Sequence, residues 1–281
     1  MRLVRFGDIG REKPGLLDGD GKIRDLSGTV DDIAGNVLGP VSLKRLKDID
    51  PETLPLIEGS PRLGAPVAVV PKFLGIGLNY RDHAEEVGLP IPEVPIVFAK
   101  ASSCICGPND PVLAPAHFKR MDYEVELAFV IGQHAKNVPV EAALDCVAGY
   151  CIVNDVSERS LQKGGPGEWI KAKSHDTFGP LGPWLVTADE IPDPQQLDLT
   201  MDLNGERMQT GNTRTMVFGV ADLVSYLSQY MTLVPGDVIT TGTPPGVGMG
   251  RNPRVFLKPG DEMVLRVEGL GEQRSKVVAA D

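Results

Sequence analysis

Long apolar runs, paired cysteines and positive charge are what this chain of 281 residues lacks. No stretch approaches the 18 or so apolar residues that a bilayer-crossing helix needs. The opening MRLVRFGDIGREKPG has none of the apolar core of a signal peptide, so none is expected. The four cysteines, Cys104, Cys106, Cys146 and Cys151, show no C-x-x-C spacing of a structural zinc site. A chain this large also needs no disulfide staples, and reduced, buried thiols are expected. Lysine and arginine number 28 against 38 aspartate and glutamate, for a net charge of −10. Such a surface repels phosphate backbones and anionic membrane faces, which argues against a nucleic-acid or membrane partner. The expectation is a soluble, cytoplasmic protein. An anionic substrate would require a bound cation or a local Arg/Lys cluster to reverse the field.

What is present is turn chemistry. The 32 glycines and 24 prolines, in a chain that is 42% hydrophobic, predict many short strands rather than a helical bundle. MRLVRF reads as a strand, and GLLDGDGKIRDL as a hairpin around an Asp-Gly turn. Residues 30–58 carry helical spacing interrupted by Pro51 and Pro55. This predicts a small N-terminal unit over 1–68 and a larger domain over 69–281. In the larger domain, VVPKFLGIGLNY, VPIVFAK, YEVELAFVIG, AGYCIVNDV, GPWLVT, LDLTMDLNG, GDVITTG and MVLRVEG read as strands. EAALDCVAGY and GVADLVSYLSQYM read as helices. The second has an apolar stripe at Val220, Leu223, Val224, Leu227, Tyr230 and Met231.

The chemistry concentrates in three places. In DYEVELAFV, alternation puts Glu124 and Glu126 on one strand face, about 7 Å apart along it. That pattern suits an ordinary solvated face, or a partly buried pair that needs a cation. Asp155, where the apolar strand GYCIVNDV ends in polar residues, favours the second. Two Glu and one Asp make an all-oxygen site suited to Mg²⁺ or Mn²⁺. In NYRDHAEE, a helix would bring His83 and Glu86 together at i,i+3, as a base for activating water. Glu85 is the solvent-facing acid on that spacing. Arg159, Lys171 and Lys173 could supply the positive field. The TGTPPGVGMG segment lacks the ending of a phosphate loop, and its two prolines remove N–H donors. It reads as a rigid substrate-lining loop, and Gly164–Gly167 as either a lid or a plain surface loop.

Taken in order and spacing, GLNYRDHAEE, DYEVELAFVIG, GYCIVNDVSERSLQ, KAKSHDTFGP and TTGTPPGVG resemble the fumarylacetoacetate hydrolase family over nearly the whole chain. The N-terminal segment is similar to that of the bacterial acylpyruvate and sugar-acid diketone subgroup. The resemblance implies an α+β fold, a mixed β-sandwich roll with flanking helices and a small N-terminal α+β domain, assembled as a homodimer. It implies Glu124, Glu126 and Asp155 as ligands of Mg²⁺ or Mn²⁺, and His83 with Glu86 as the water-activating dyad. Lys173 would polarise substrate or stabilise an enolate, with Arg159, Gln162 and Thr243 lining the pocket. The implied reaction is hydrolysis of the C3–C4 bond of a small anionic 2,4-diketo acid, with 2,4-diketo-3-deoxy-L-rhamnonate the best-fitting family substrate. The same site could instead serve an oxaloacetate decarboxylase, a diketo-acid isomerase or a ureidoglycolate lyase. A non-enzymatic metal-dependent carboxylate binder is a further class.

Overall fold

Turn residues set the strand boundaries, beginning with the Asp-Gly hairpin, where the Asp18 carboxylate accepts from the N–H groups of Asp20 and Lys22. The computed structural model describes residues 1–163 and 168–280. Its N-terminal segment contains β1 (Arg2–Phe6), β2 (Lys13–Leu17), β3 (Ile23–Asp25), α1 (Pro40–Lys47) and β4 (Leu63–Gly64). Then follow β5 (Phe73–Gly77), α2 (Arg81–Val87), β6 (Ile96–Lys100), β7 (Ile105–Cys106), β8 (Val112–Ala114), β9 (Met121–Asp122) and β10 (Val125–Ile131). The middle of the chain forms α3 (Val140–Ala143), β11 (Val147–Asn154), β12 (Ser157–Glu158), α4 (Arg159–Lys163) and α5 (Trp169–Lys173). The remainder forms β13 (Gly179–Thr187), β14 (Asp198–Leu203), β15 (Glu206–Asn212), α6 (Val220–Tyr230), β16 (Val238–Thr240), β17 (Glu262–Val267) and β18 (Gly271–Ala279).

The main sheet runs β3-β2-β1-β13-β11-β10-β16-β5-β6, and a second runs β15-β14-β17-β18-β8. The second sheet packs on β10, β11 and β13 of the first, and every residue of β10 and β11 is buried. This is the expected α+β class, with 34% strand and 22% helix. Residues 1–68 add their strands to the main sheet through β1, which pairs antiparallel with β13. Among the described residues no helix is long and apolar enough to cross a membrane.

Two local expectations need correction. The helix expected over EAALDCVAGY stops early: α3 passes into a 3-10 turn at Leu144–Cys146, and Val147–Tyr150 belong to β11. Strand pairing there overrides helical spacing, because Gly149 lies so close to β13 that a Cβ would meet the Val186 carbonyl oxygen at 2.2 Å. On α6, Val220, Leu223, Val224 and Leu227 are buried as expected, but Tyr230 is 67% exposed. The helix ends at Tyr230, whose ring lies against Tyr226 with centroids 5.0 Å apart. The segment Gly164–Gly167, read as a lid or loop, lies outside the described residues.

Candidate active site

The register of two central strands builds the acidic cluster. β10 and β11 pair antiparallel with Val125 opposite Asn154 and Glu126 opposite Val153. One step beyond, Asp155 N–H donates to the Glu124 carbonyl at 3.0 Å. Glu124 and Asp155 therefore sit across the ladder, and alternation puts Glu126 on the same face as Glu124. One carboxylate oxygen from each of the three lies within 4.8 Å of the others, and all three residues are buried. The solvated-face alternative is thereby excluded.

Cations and N–H groups hold this cluster. Lys173, at the end of α5, donates to Glu124 at 2.7 Å and to Asp155 at 2.5 Å. Arg159 donates to Asp122 at 2.8 Å, to Glu124 at 2.6 Å and to the Gln162 side-chain oxygen at 2.9 Å. Lys100, at the end of β6, reaches Asp155 from behind at 2.6 Å and also donates to the Lys173 and Phe178 carbonyls. Glu126 accepts from the Thr240 hydroxyl and from Gly242 N–H.

These surroundings drive the neighbouring glutamates apart. Burial pushes the Glu124 carboxyl up, but the charges of Arg159 and Lys173 outweigh it and hold the group well below the usual carboxylate range. At Glu126, burial followed by the charges of Asp155 and Glu124 pushes the carboxyl well above its usual value. Lys173 is raised despite the opposing effect of burial, because Asp155 and Glu124 stabilise its charge. It stays an ammonium and cannot act as a base at neutral pH. The three carboxylates thus carry mutual repulsion that the protein's own cations leave in place at Glu126. An all-oxygen donor set in that condition fits a hard divalent cation.

The dyad opens on the same cavity. On α2, His83 Nδ1 lies 2.8 Å from Glu86 Oε2, while Glu85 is exposed. The other Glu86 oxygen accepts from Gly246 N–H at 2.8 Å. With Glu86 the acceptor on both sides, Nδ1 carries the hydrogen and Nε2 is left to take a proton. The cavity, of about 160 Å³, is lined by His83, Glu124, Glu126, Asp155, Arg159, Gln162, Lys173 and Thr243 among others. Of the residues expected in the site, all but Glu86 and Lys171 line this cavity, and Glu86 joins it through His83. Lys171 is an exposed side chain 3.9 Å from Glu168.

The TGTPPGVGMG segment lines the cavity through Gly242, Thr243 and Met249, and its N–H groups also hold the acids. Gly242 donates to Glu126, Gly246 to Glu86, and Gly248 and Met249 to Asp122. Gly246 has φ +105°, and a Cβ there would meet the Met208 carbonyl oxygen at 2.0 Å, so no other residue fits. The Thr243 hydroxyl donates to the Val125 carbonyl and accepts from Gln209, which fixes this loop to the start of β10. Sequence reasoning missed Lys100, Asp122 and Gln209. Asp122 was legible as an acid beside the Glu pair, but the pairing of Lys100 with Asp155 spans 55 positions and leaves no local signal.

One cavity thus gathers three buried acids whose oxygens lie close enough to share a divalent cation, a His–Glu pair and two confined cations. Residues 72–278 match the model of the fumarylacetoacetate hydrolase C-terminal domain, and the chain belongs to that family. It is 61% identical over 274 residues to a provisionally named hydrolase of Burkholderia lata, covering 97% of each chain. Among solved structures, it is similar to fumarylacetoacetate hydrolase from Exiguobacterium antarcticum, with 35% identity, TM-score 0.88 and full coverage of both chains. It is also similar to maleylpyruvate hydrolase from Sphingobium sp. SYK-6, solved in complex with manganese(II) and pyruvate, at 30% identity, TM-score 0.84 and full coverage of both.

Proposed function

We propose that this protein is a divalent-metal-dependent hydrolase that cleaves the C3–C4 bond of a small anionic 2,4-diketo acid, giving pyruvate and a second acid. The observation that carries this reading is the His83–Glu86 pair, 2.8 Å apart, opening on the cavity that holds the three carboxylates. Similarity to a hydrolase that binds manganese(II) and pyruvate supports it. Bound by Glu124, Glu126 and Asp155, Mg²⁺ or Mn²⁺ would supply Lewis-acid polarisation of the substrate's keto-acid end.

The protein's own groups carry the proton traffic. His83 Nε2 takes a proton from water as the water oxygen adds to the C4 carbonyl, and Glu86 stabilises the imidazolium. The C3–C4 bond breaks, its electron pair passes to C3 as a pyruvate enolate, and a proton returned to C3 completes pyruvate. One water is consumed, and its oxygen leaves in the second acid. Lys173, held as an ammonium, stabilises the enolate charge where water is largely excluded. Arg159, Gln162 and Thr243 shape the pocket around the substrate. Cleavage of 2,4-diketo-3-deoxy-L-rhamnonate to pyruvate and lactate is one reaction of this form.

A panel of acylpyruvates and sugar-acid diketones, assayed for pyruvate release, tests the reading. Release should stop on chelation and return with Mg²⁺ or Mn²⁺. Persistent release from exhaustively chelated protein with no residual metal contradicts the metal requirement. No release from any member contradicts the reaction.

A further inference from the structure

The cavity has a second end that the mechanism does not use. Away from the acids its wall is apolar, formed by Val87, Leu89, Ile96, Phe98 and Trp169. The wall is a built feature. Trp169 and Phe98 pack with ring centroids 5.1 Å apart at 57°, and the Trp169 ring seats on β5 where Gly77 leaves room. A Cβ on Gly77 would lie 2.6 Å from that ring. The two ends meet at Phe98, whose ring centroid is 5.1 Å from Lys173 Nζ. Among the described lining residues, the cations are Arg159 and Lys173, and both are committed to carboxylates at the acidic end. His83, the remaining candidate, is paired with Glu86.

We infer that the distal group of the substrate, on the far side of C4, is uncharged: an alkyl, aryl or hydroxyalkyl acyl group rather than one ending in a carboxylate. The inference rests on the cavity being the keto-acid site of the preceding reading. A keto-acid head belongs at the acidic end, where the cation site and Lys173 offset its charge. The tail then lies along the apolar wall. A terminal carboxylate there would lose hydration without gaining a partner, a cost that an apolar contact cannot return. A neutral tail gains apolar contact instead. Leu89 and Ile96, 50% and 40% exposed, form the outer rim and leave room for tails of differing length.

Two ligands of equal chain length separate the possibilities without turnover: 2-oxohexanoate, which ends in a methyl group, and 2-oxohexanedioate, which ends in a carboxylate. Calorimetry on the Mn²⁺-loaded protein, with pyruvate as the head-only control, should show the neutral ligand binding at least about 10-fold more tightly than the dicarboxylate. Leu89→Arg, a change at the exposed rim, should narrow that ratio by recruiting the terminal carboxylate. Equal or tighter binding of the dicarboxylate by the unmodified protein overturns the inference while leaving the hydrolase reading in place. An unchanged ratio in Leu89→Arg overturns the assignment of this wall as the discriminating surface. Failure of pyruvate itself to bind removes the underlying reading of the cavity as a keto-acid site.

Discussion

The acidic and apolar ends of the cavity are built on different principles. At the acidic end every charged group is buried and held by several partners: Glu124 by Arg159 and Lys173, Asp155 by Lys100 and Lys173, and Glu126 by Thr240 and Gly242. Those partners come from β6, α4, α5, β16 and the segment after it, so the geometry is fixed by the whole sandwich. The apolar end draws mainly on residues 87–98 and Trp169, and two of its members are at least 40% exposed. Such a design lets one end keep a reaction constant while the other changes its clientele. A substitution at the acidic end must satisfy several buried charges at once, whereas one at the rim meets mostly solvent.

The sharpest way to break that contrast is at Glu126. Its carboxyl is pushed well above the usual range, first by burial and then by Asp155 and Glu124, which favours its protonated form. Glu126→Gln mimics that protonated form. It should leave the thermal midpoint of the metal-free protein nearly unchanged, yet lower pyruvate release on the order of 10³-fold by removing a metal ligand. Thermal denaturation with and without Mn²⁺, together with a pyruvate-release assay, checks both halves. A variant still stabilised by Mn²⁺ like the unmodified protein would take Glu126 out of the ligand set.

Lys100 probes the layer behind the acids. It is fully buried and pairs with Asp155 at 2.6 Å. Lys100→Met keeps most of the side-chain volume but removes the charge that orients this carboxylate. Mn²⁺ affinity, followed by calorimetry, should fall about 10- to 100-fold, the usual effect of losing a partner that orients a ligand. Lys100→Arg should recover part of it. Unchanged affinity in the folded Met variant would make Lys100 a packing residue only.

A smaller effect follows from the same raised carboxyl. Glu126 must ionise to ligate a cation, so metal uptake near pH 7 should release up to about one proton. Affinity should accordingly rise with pH. Titrations in buffers of different ionisation enthalpy measure the release, and a zero proton count would mean that Glu126 is already ionised.

Much of this arrangement was legible in the sequence because it follows local periodicity. Strand alternation placed Glu124 and Glu126 on one face, and helical spacing paired His83 with Glu86 rather than Glu85. The rest depends on long-range pairing, to which local patterns are blind. Lys100 meets Asp155 only because β6 and β11 lie in one folded sheet system, and Lys171 read as a site cation only because it neighbours Lys173. The TGTPPGVGMG segment was legible as a rigid liner. Its service as N–H donor to Glu126, Glu86 and Asp122 was not, since donors carry no sequence signature when any backbone can supply them. The early end of α3 has the same origin, strand pairing prevailing over local spacing, while Tyr230 is exposed at the last turn of α6.

Activation of water beside the acidic cluster is the role proposed for His83, oriented by Glu86. It is tested most directly by measuring two reactions on one variant with saturating Mg²⁺: acylpyruvate hydrolysis, which needs activated water, and oxaloacetate decarboxylation, which needs only enolate stabilisation. In His83→Ala, hydrolysis should fall by about 10²-fold or more and decarboxylation much less. Glu86→Gln should follow His83→Ala, and Glu85→Gln should be nearly silent. Equal losses of both reactions in His83→Ala would contradict a dedicated water-activating dyad.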